Sequence, residues 1–152
     1  MKLSAHFDLA ELTASQTAAR LGIDNTPTTA DLAELQKTAE LLERVRAILQ
    51  KPILVTSGFR CRALNDNPAV RGAANSAHVW GGAADFISPG YGSPLDICRE
   101  LQHYAESLNF DQLIWEFSAW VHIGRARSGT PRRQLLIIDG GGTRDVTEEG
   151  FP

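Results

Sequence analysis

Three residues, far apart in the chain, are of the right types to hold one metal ion. His78 and Asp85 lie in Ser76-Ala77-His78-Val79-Trp80-Gly81-Gly82-Ala83-Ala84-Asp85, and His122 follows in Trp120-Val121-His122-Ile123-Gly124. Two imidazoles and a carboxylate supply three protein ligands and leave a fourth position for water. That incomplete shell belongs to a catalytic zinc rather than a structural one. Each residue alone has a plainer reading. His122 reads as a hydrogen-bonded core histidine, Asp85 as half of a salt bridge, Glu116 as an exposed strand residue, Arg60 as a surface cation and Ser76 as a turn residue. The metal reading rests on their combination.

The elements that must position these residues can be read from spacing and punctuation. Asp8 caps a short helical piece over Leu9-Ala10-Glu11-Leu12, and Ser15 caps a second that Gly22 stops. Asp24-Asn25-Thr26-Pro27 is a loop. A long helix is predicted from about Ala30 to Gln50, with Thr28 and Asp31 as a capping box. Leu32, Leu35, Leu42, Val45 and Leu49 form its apolar stripe, and the helix reads as scaffold without chemistry. Ile53 to Ser57 reads as a strand. Residues 61–81 show no clean period, and a long irregular stretch inside a compact domain is usually functional. Gly82 to Ile87 is a short strand. Ser93-Pro94 opens another helix. Phe110 to Phe117, Trp120 to Gly124 and Gln134 to Asp139 are the remaining strands. Residues 140–152 read as a loose tail after a core spanning about 7–139. Helices lead and antiparallel strands follow, so the class is α+β, an antiparallel sheet with flanking helices in a single domain over 1–152.

Side chains alternate between the two faces of a strand. The odd positions Leu113, Trp115, Phe117, Val121 and Ile123 are all apolar and make a core face. The even positions include Gln112, Glu116, Trp120 and His122. Matching faces require odd opposite odd. The three-residue connection Phe117-Ser118-Ala119 achieves this by setting Glu116 opposite Trp120, whereas a two-residue loop would bury a polar face. Glu116 and His122 then share a face. By the same parity Ala84 and Phe86 suit the core and Asp85 points the other way, where a buried carboxylate needs a partner.

Composition narrows the field. The chain has 152 residues, 43% of them hydrophobic, and a net charge of -3. That is one domain with a real core. No basic block supports a nucleic-acid partner. Arg125, Arg127, Arg132 and Arg133 cluster, but they read as a solvated stretch. No apolar run is long enough to span a bilayer, and the N-terminus lacks the apolar core of a signal peptide, so the expectation is a protein cytoplasmic as synthesised. Cys61 and Cys98 are expected to be free thiols.

The string Ser76-x-His78-x-x-Gly81-x-Ala83-x-Asp85, with Trp120-x-His122 downstream and Ser57-Gly58-Phe59-Arg60 upstream, resembles the zinc D-Ala-D-Ala carboxypeptidase family. That family is related to the hedgehog and lysostaphin-type metallopeptidases. The resemblance runs from about Phe7 to Gly124 and looks most like phage and prophage members. It implies that His78, Asp85 and His122 bind Zn2+. It also implies that an acidic residue acts as general base and that an arginine near the metal, matched here by Arg60, steadies the oxyanion. In several members the base lies three residues before the last histidine. That position is Ala119 here, and the nearest upstream carboxylate is Glu116, a form that the phage-type members also carry. Asp111 is the fallback.

On this resemblance the substrate is a peptidoglycan stem peptide, cut at a terminal D-Ala-D-Ala bond or at an internal bond such as L-Ala-D-Glu, and a phage endolysin is one such setting. Ser76, Gln112 and Trp120 are candidates for orienting substrate, with Trp80 and Trp120 as walls. The competing class is a zinc-bound but inactive module, a phage structural or wall-binding part.

Overall fold

The computed structural model describes residues 1–152. Two short helices, α1 (Leu9–Thr13) and α2 (Gln16–Leu21), precede the long helix α3 (Thr29–Leu49). Each starts on the cap predicted for it. Asp8 and Glu11 form a capping box on α1, Ser15 caps α2, and Thr28 and Asp31 form the box on α3. Each such cap contributes about 1 kcal/mol. Strand β1 (Leu54–Ser57), helix α4 (Arg62–Asn65), a 3-10 turn over Ala77–Trp80 and strand β2 (Ala83–Ile87) follow. Helix α5 (Pro94–Leu101) begins on Ser93 with Pro94 in its first turn, and α6 (Ala105–Leu108) leads into β3 (Gln112–Glu116), β4 (Trp120–Gly124), β5 (Gln134–Asp139) and β6 (Gly142–Asp145).

The strands form one sheet in the order β1-β2-β4-β3-β5-β6. The α+β class is as the sequence indicates. All pairings are antiparallel except β3 with β5, which run parallel because the chain reverses twice, at the β3–β4 turn and again over residues 125–133, so that Gly124 and Gln134 flank Gln112 at the same end of β3. The hairpin register is the one parity requires, with Glu116 opposite Trp120 and Ile114 opposite His122. Leu113, Val121, Ile123, Ala84 and Phe86 are fully buried on the helix-covered face, joined by Leu35, Leu42 and Val45 of α3 and Ile97 and Leu101 of α5. Phe117 departs from the parity prediction. It sits in the turn with φ +51° and is 52% exposed, because the strand ends at Glu116 and alternation ends with it.

The segment 140–152 is not loose. β6 pairs with β5, Val146 and Phe151 are buried, and the Phe151 amide donates to Gln102 Oε1 at 2.9 Å. The exposed, polar strand β6 covers an edge that β5 would otherwise present. Only two apolar residues in a polar run anchor it, which is too sparse a signal to read as an element.

A bulge in β1 serves the site. Leu54 and Val55 pair with Ile87 and Phe86, but the register then slips by one, so that Ser57 rather than Thr56 lies opposite Asp85. Bulges re-aim side chains beside functional clefts. The strip that follows, Gly58-Phe59-Arg60, is clamped from below. The Phe59 amide donates to the Leu12 carbonyl at 2.7 Å, and the Asn25 side chain bonds to the Thr13 and Phe59 carbonyls and the Cys61 amide. A Cβ on Gly58 would come within 2.2 Å of the Leu12 carbonyl oxygen. Gly58→Ala is therefore expected to cost about 1–3 kcal/mol through overpacking against backbone. The shift in the urea midpoint measures this, and an unchanged midpoint contradicts the packing described.

Candidate metal centre

His78, Asp85 and His122 meet on the sheet face opposite the core. Asp85 and His122 are cross-strand partners in the β2–β4 pairing. His78 arrives from outside the sheet, in the 3-10 turn that the preceding residue, Ser76, caps by accepting the His78 amide at 3.3 Å. Gly81 ends that turn at φ +82°, a conformation that glycine adopts without strain. One ligand atom from each of the three residues lies within 4.8 Å of the others. All three are buried, with exposures of 2%, 7% and 8%.

The donor set fits a divalent cation. His78 Nδ1 is 2.7 Å from the Gly58 carbonyl, which can only accept, so Nδ1 holds the proton. His78 Nε2 then turns a lone pair toward Asp85 Oδ1 at 3.3 Å, and His122 Nδ1 faces the same oxygen at 2.9 Å. A lone pair facing a carboxylate oxygen in a buried site is unfavourable unless a cation or proton lies between them. The Gly58 carbonyl supplies the outer hydrogen bond that fixes tautomer and ring orientation in metal-binding histidines.

Electrostatics reinforce the pattern. Burial would raise the Asp85 carboxyl, but the two histidines outweigh it and hold it well below the usual carboxylate range. Burial dominates at His78 and pushes it down, toward the neutral form a metal requires. Burial also acts downward on His122, yet the hydrogen bond and charge of Asp85 prevail and its pKa is raised above the ordinary 6.5. Protons therefore compete first at His122 as pH falls. Metal affinity is expected to be full above this raised value and to weaken progressively below it. A chelator-competition titration across this range checks the sign, and an affinity independent of pH would contradict it.

A cleft of about 890 Å³ opens over the three residues. Glu116, Arg60, Ser76, Gln112, Trp120 and Trp80 all line it. Burial, then the charge of Asp85, raise the Glu116 carboxyl above its ordinary value, with His122 and Arg60 pulling the other way. Burial lowers the Arg60 guanidinium, and Asp85 and Glu116 offset this in part. Arg60 Nη2 donates to Ser76 Oγ at 3.2 Å, and its backbone amide donates to the His78 carbonyl at 3.1 Å. Arg60 Nε and Trp120 Nε1 are buried and bond to no protein group.

Asp111 also reaches the cleft, but Arg132 grips both its carboxylate oxygens, at 2.6 to 3.2 Å, and lowers its pKa. Gln112 Nε2 is engaged with Gln134 Oε1 at 3.0 Å.

A family model described as Peptidase M15 matches residues 5–124. The chain belongs to the peptidase M15 family. Membership implies a hydrolase acting on peptide bonds, in a family whose peptidases are zinc-dependent, and so a substrate that carries a peptide bond. No curated protein matches the chain. The matched stretch takes in both histidines, Asp85, Arg60 and Glu116, and stops at Gly124, before β5 and β6.

One expectation about the basic cluster needs correction. Arg125 is not part of a solvated stretch. Its guanidinium donates to the Glu34 carboxylate at 2.6 Å, the Glu34 carbonyl at 2.9 Å and Thr38 Oγ1 at 3.1 Å. Thr38, fully buried, in turn donates to the Gly81 carbonyl at 2.7 Å. Helix α3 is thus tied to the turn that carries His78 and to the end of the strand that carries His122. The signal was a threonine in the gap of the apolar stripe between Leu35 and Leu42, a buried position where a hydroxyl needs a partner. Arg132 and Arg133 bond to Asp111 and Asn109 but remain exposed, as a solvated stretch would be. Asn25 and the Gly58 carbonyl left no sequence signal, since each bonds to groups that only the folded chain brings near.

Proposed function

We propose that this chain is a zinc peptidase that cleaves peptidoglycan stem peptides, with His78, Asp85 and His122 as the metal ligands, Glu116 as general base and Arg60 as the oxyanion donor. The observation that carries this reading is the convergence of two imidazoles and one carboxylate, without a fourth protein ligand, on the floor of a cleft that also holds a carboxylate of raised pKa and a half-buried arginine. A zinc ion held there supplies Lewis-acid polarisation of the carbonyl and acidifies water in its shell.

The protein's own groups do the rest. Glu116 takes a proton from the attacking water as its oxygen bonds to the peptide carbon, then delivers that proton to the amine as the C–N bond breaks. Arg60 donates to the carbonyl oxygen as negative charge develops there, with Ser76 Oγ holding the guanidinium in position. Trp120 walls the cleft beside Glu116. Asp111 is a poor base because Arg132 consumes its oxygens. The stem-peptide substrate rests on the family, and the setting that fits it best is a phage or prophage lytic enzyme.

Digestion of purified peptidoglycan with and without a chelator tests this, with the new termini identified by mass spectrometry. Cleavage that the chelator stops and zinc restores is the expected result. The termini then decide between a D-Ala-D-Ala bond and an internal bond such as L-Ala-D-Glu. Intact peptidoglycan from several wall types, with zinc bound, would instead point to a wall-binding module.

A further inference from the structure

Five arginines line the cleft of a chain whose net charge is -3: Arg60, Arg71, Arg125, Arg127 and Arg132. Four have partners or a place in the chemistry. Arg132 is neutralised by Asp111 and Arg125 by Glu34. Arg60 lies beside Asp85 and Glu116. Arg71 Nε donates to the Pro68 carbonyl of its own loop. Arg127 forms no ion pair and no hydrogen bond with the protein; its guanidinium instead lies 5.6 Å from the centroid of the Trp80 ring.

That ring is a fixed platform. It folds back on Gly82 so closely that a Cβ there would fall 2.0 Å from Cη2, and the neutralised Arg125 lies 5.4 Å from the same centroid. Trp80 belongs to the turn that carries His78, and Arg127 follows the strand that carries His122, so the pair is anchored to both sides of the metal centre. Attraction to an aromatic ring steadies a guanidinium without supplying an acceptor. The N–H fork stays available, and its geometry matches a planar two-oxygen anion.

We propose that Arg127, seated on Trp80, is the specificity residue that binds a carboxylate of the peptide substrate. This rests on the reading of the cleft as a stem-peptide site. The carboxylate has two possible sources, the free C-terminus of the peptide or the carboxylate of an internal acidic residue. The test separates them.

Four short stem-peptide analogues are compared with the zinc-loaded protein. One pair differs only in a C-terminal carboxylate or carboxamide, the other only in an internal acidic residue or its amide. For one pair, wild type is expected to favour the carboxylate by about tenfold in kcat/KM, mainly through KM, as fits one charge-assisted bidentate contact. The pair that shows the preference identifies the source. Arg127→Met is expected to treat the two members of that pair alike, keeping zinc content and the urea midpoint. Arg127→Lys should recover part of the preference. A preference that survives in Arg127→Met overturns the proposal, as does a wild type that distinguishes neither pair while cleaving them. If wild type cleaves none of the four, the stem-peptide reading itself fails and the proposal falls with it.

Discussion

Glu116→Gln is expected to keep one zinc per chain and to lose hydrolysis by a factor of about 10² to 10⁴, the usual worth of a positioned general base. Glutamine preserves the shape and much of the hydrogen bonding but cannot take a proton. Glu116 lies outside the ligand set, so metal content should not change. In the wild type the acid limb of kcat/KM should report the pKa of Glu116 in the zinc-loaded protein, where the cation opposes the upward push of burial. Activity appears as pH rises through that pKa, and the limb should vanish with the residue. Wild-type turnover in the variant would move the base elsewhere, and Asp111 could take that role only by releasing Arg132.

His78→Ala and His122→Ala are each expected to abolish stoichiometric zinc. Loss of an outer hydrogen bond to a metal-bound histidine costs about 10–100-fold in affinity. Loss of the ligand itself must cost more, because two protein donors then remain. The two variants should differ in fold stability. His78 is bonded to the Gly58 carbonyl and stitches the turn to the Gly58-Phe59-Arg60 strip, so its removal leaves that buried carbonyl unpaired. His122 contacts Asp85 and projects into the cleft from a strand held by its own ladder. Metal analysis of both purified variants tests the first point, and their urea midpoints test the second. Full zinc in both would refute the ligand assignment.

Much of this arrangement is legible in the chain. The caps on α1, α2, α3 and α5 follow from local chemistry, since a side-chain oxygen placed before an apolar stripe has few other uses. The register of β3 and β4 follows from parity, because one misplaced residue would have turned His122 and Glu116 into the core. Three features were not legible. The β1 bulge that sets Ser57 opposite Asp85 is a backbone slip with no residue signature. The parallel β3–β5 pairing depends on the path of residues 125–133, which composition does not fix. The engagement of Arg125 with Glu34 and Thr38 joins residues about ninety positions apart, and a lone arginine in a basic cluster gives no hint of it. These are tertiary closures, and they decide how firmly the three ligand-bearing elements are held together.

The most direct test of the metal centre is a crystal of the zinc-loaded protein with data collected on both sides of the zinc absorption edge. One anomalous peak per chain is expected, about 2.0–2.2 Å from His78 Nε2, an Asp85 oxygen and His122 Nδ1, with solvent as its only other ligand. A peak elsewhere, or one whose remaining position is filled by a fourth side chain, would contradict the assignment.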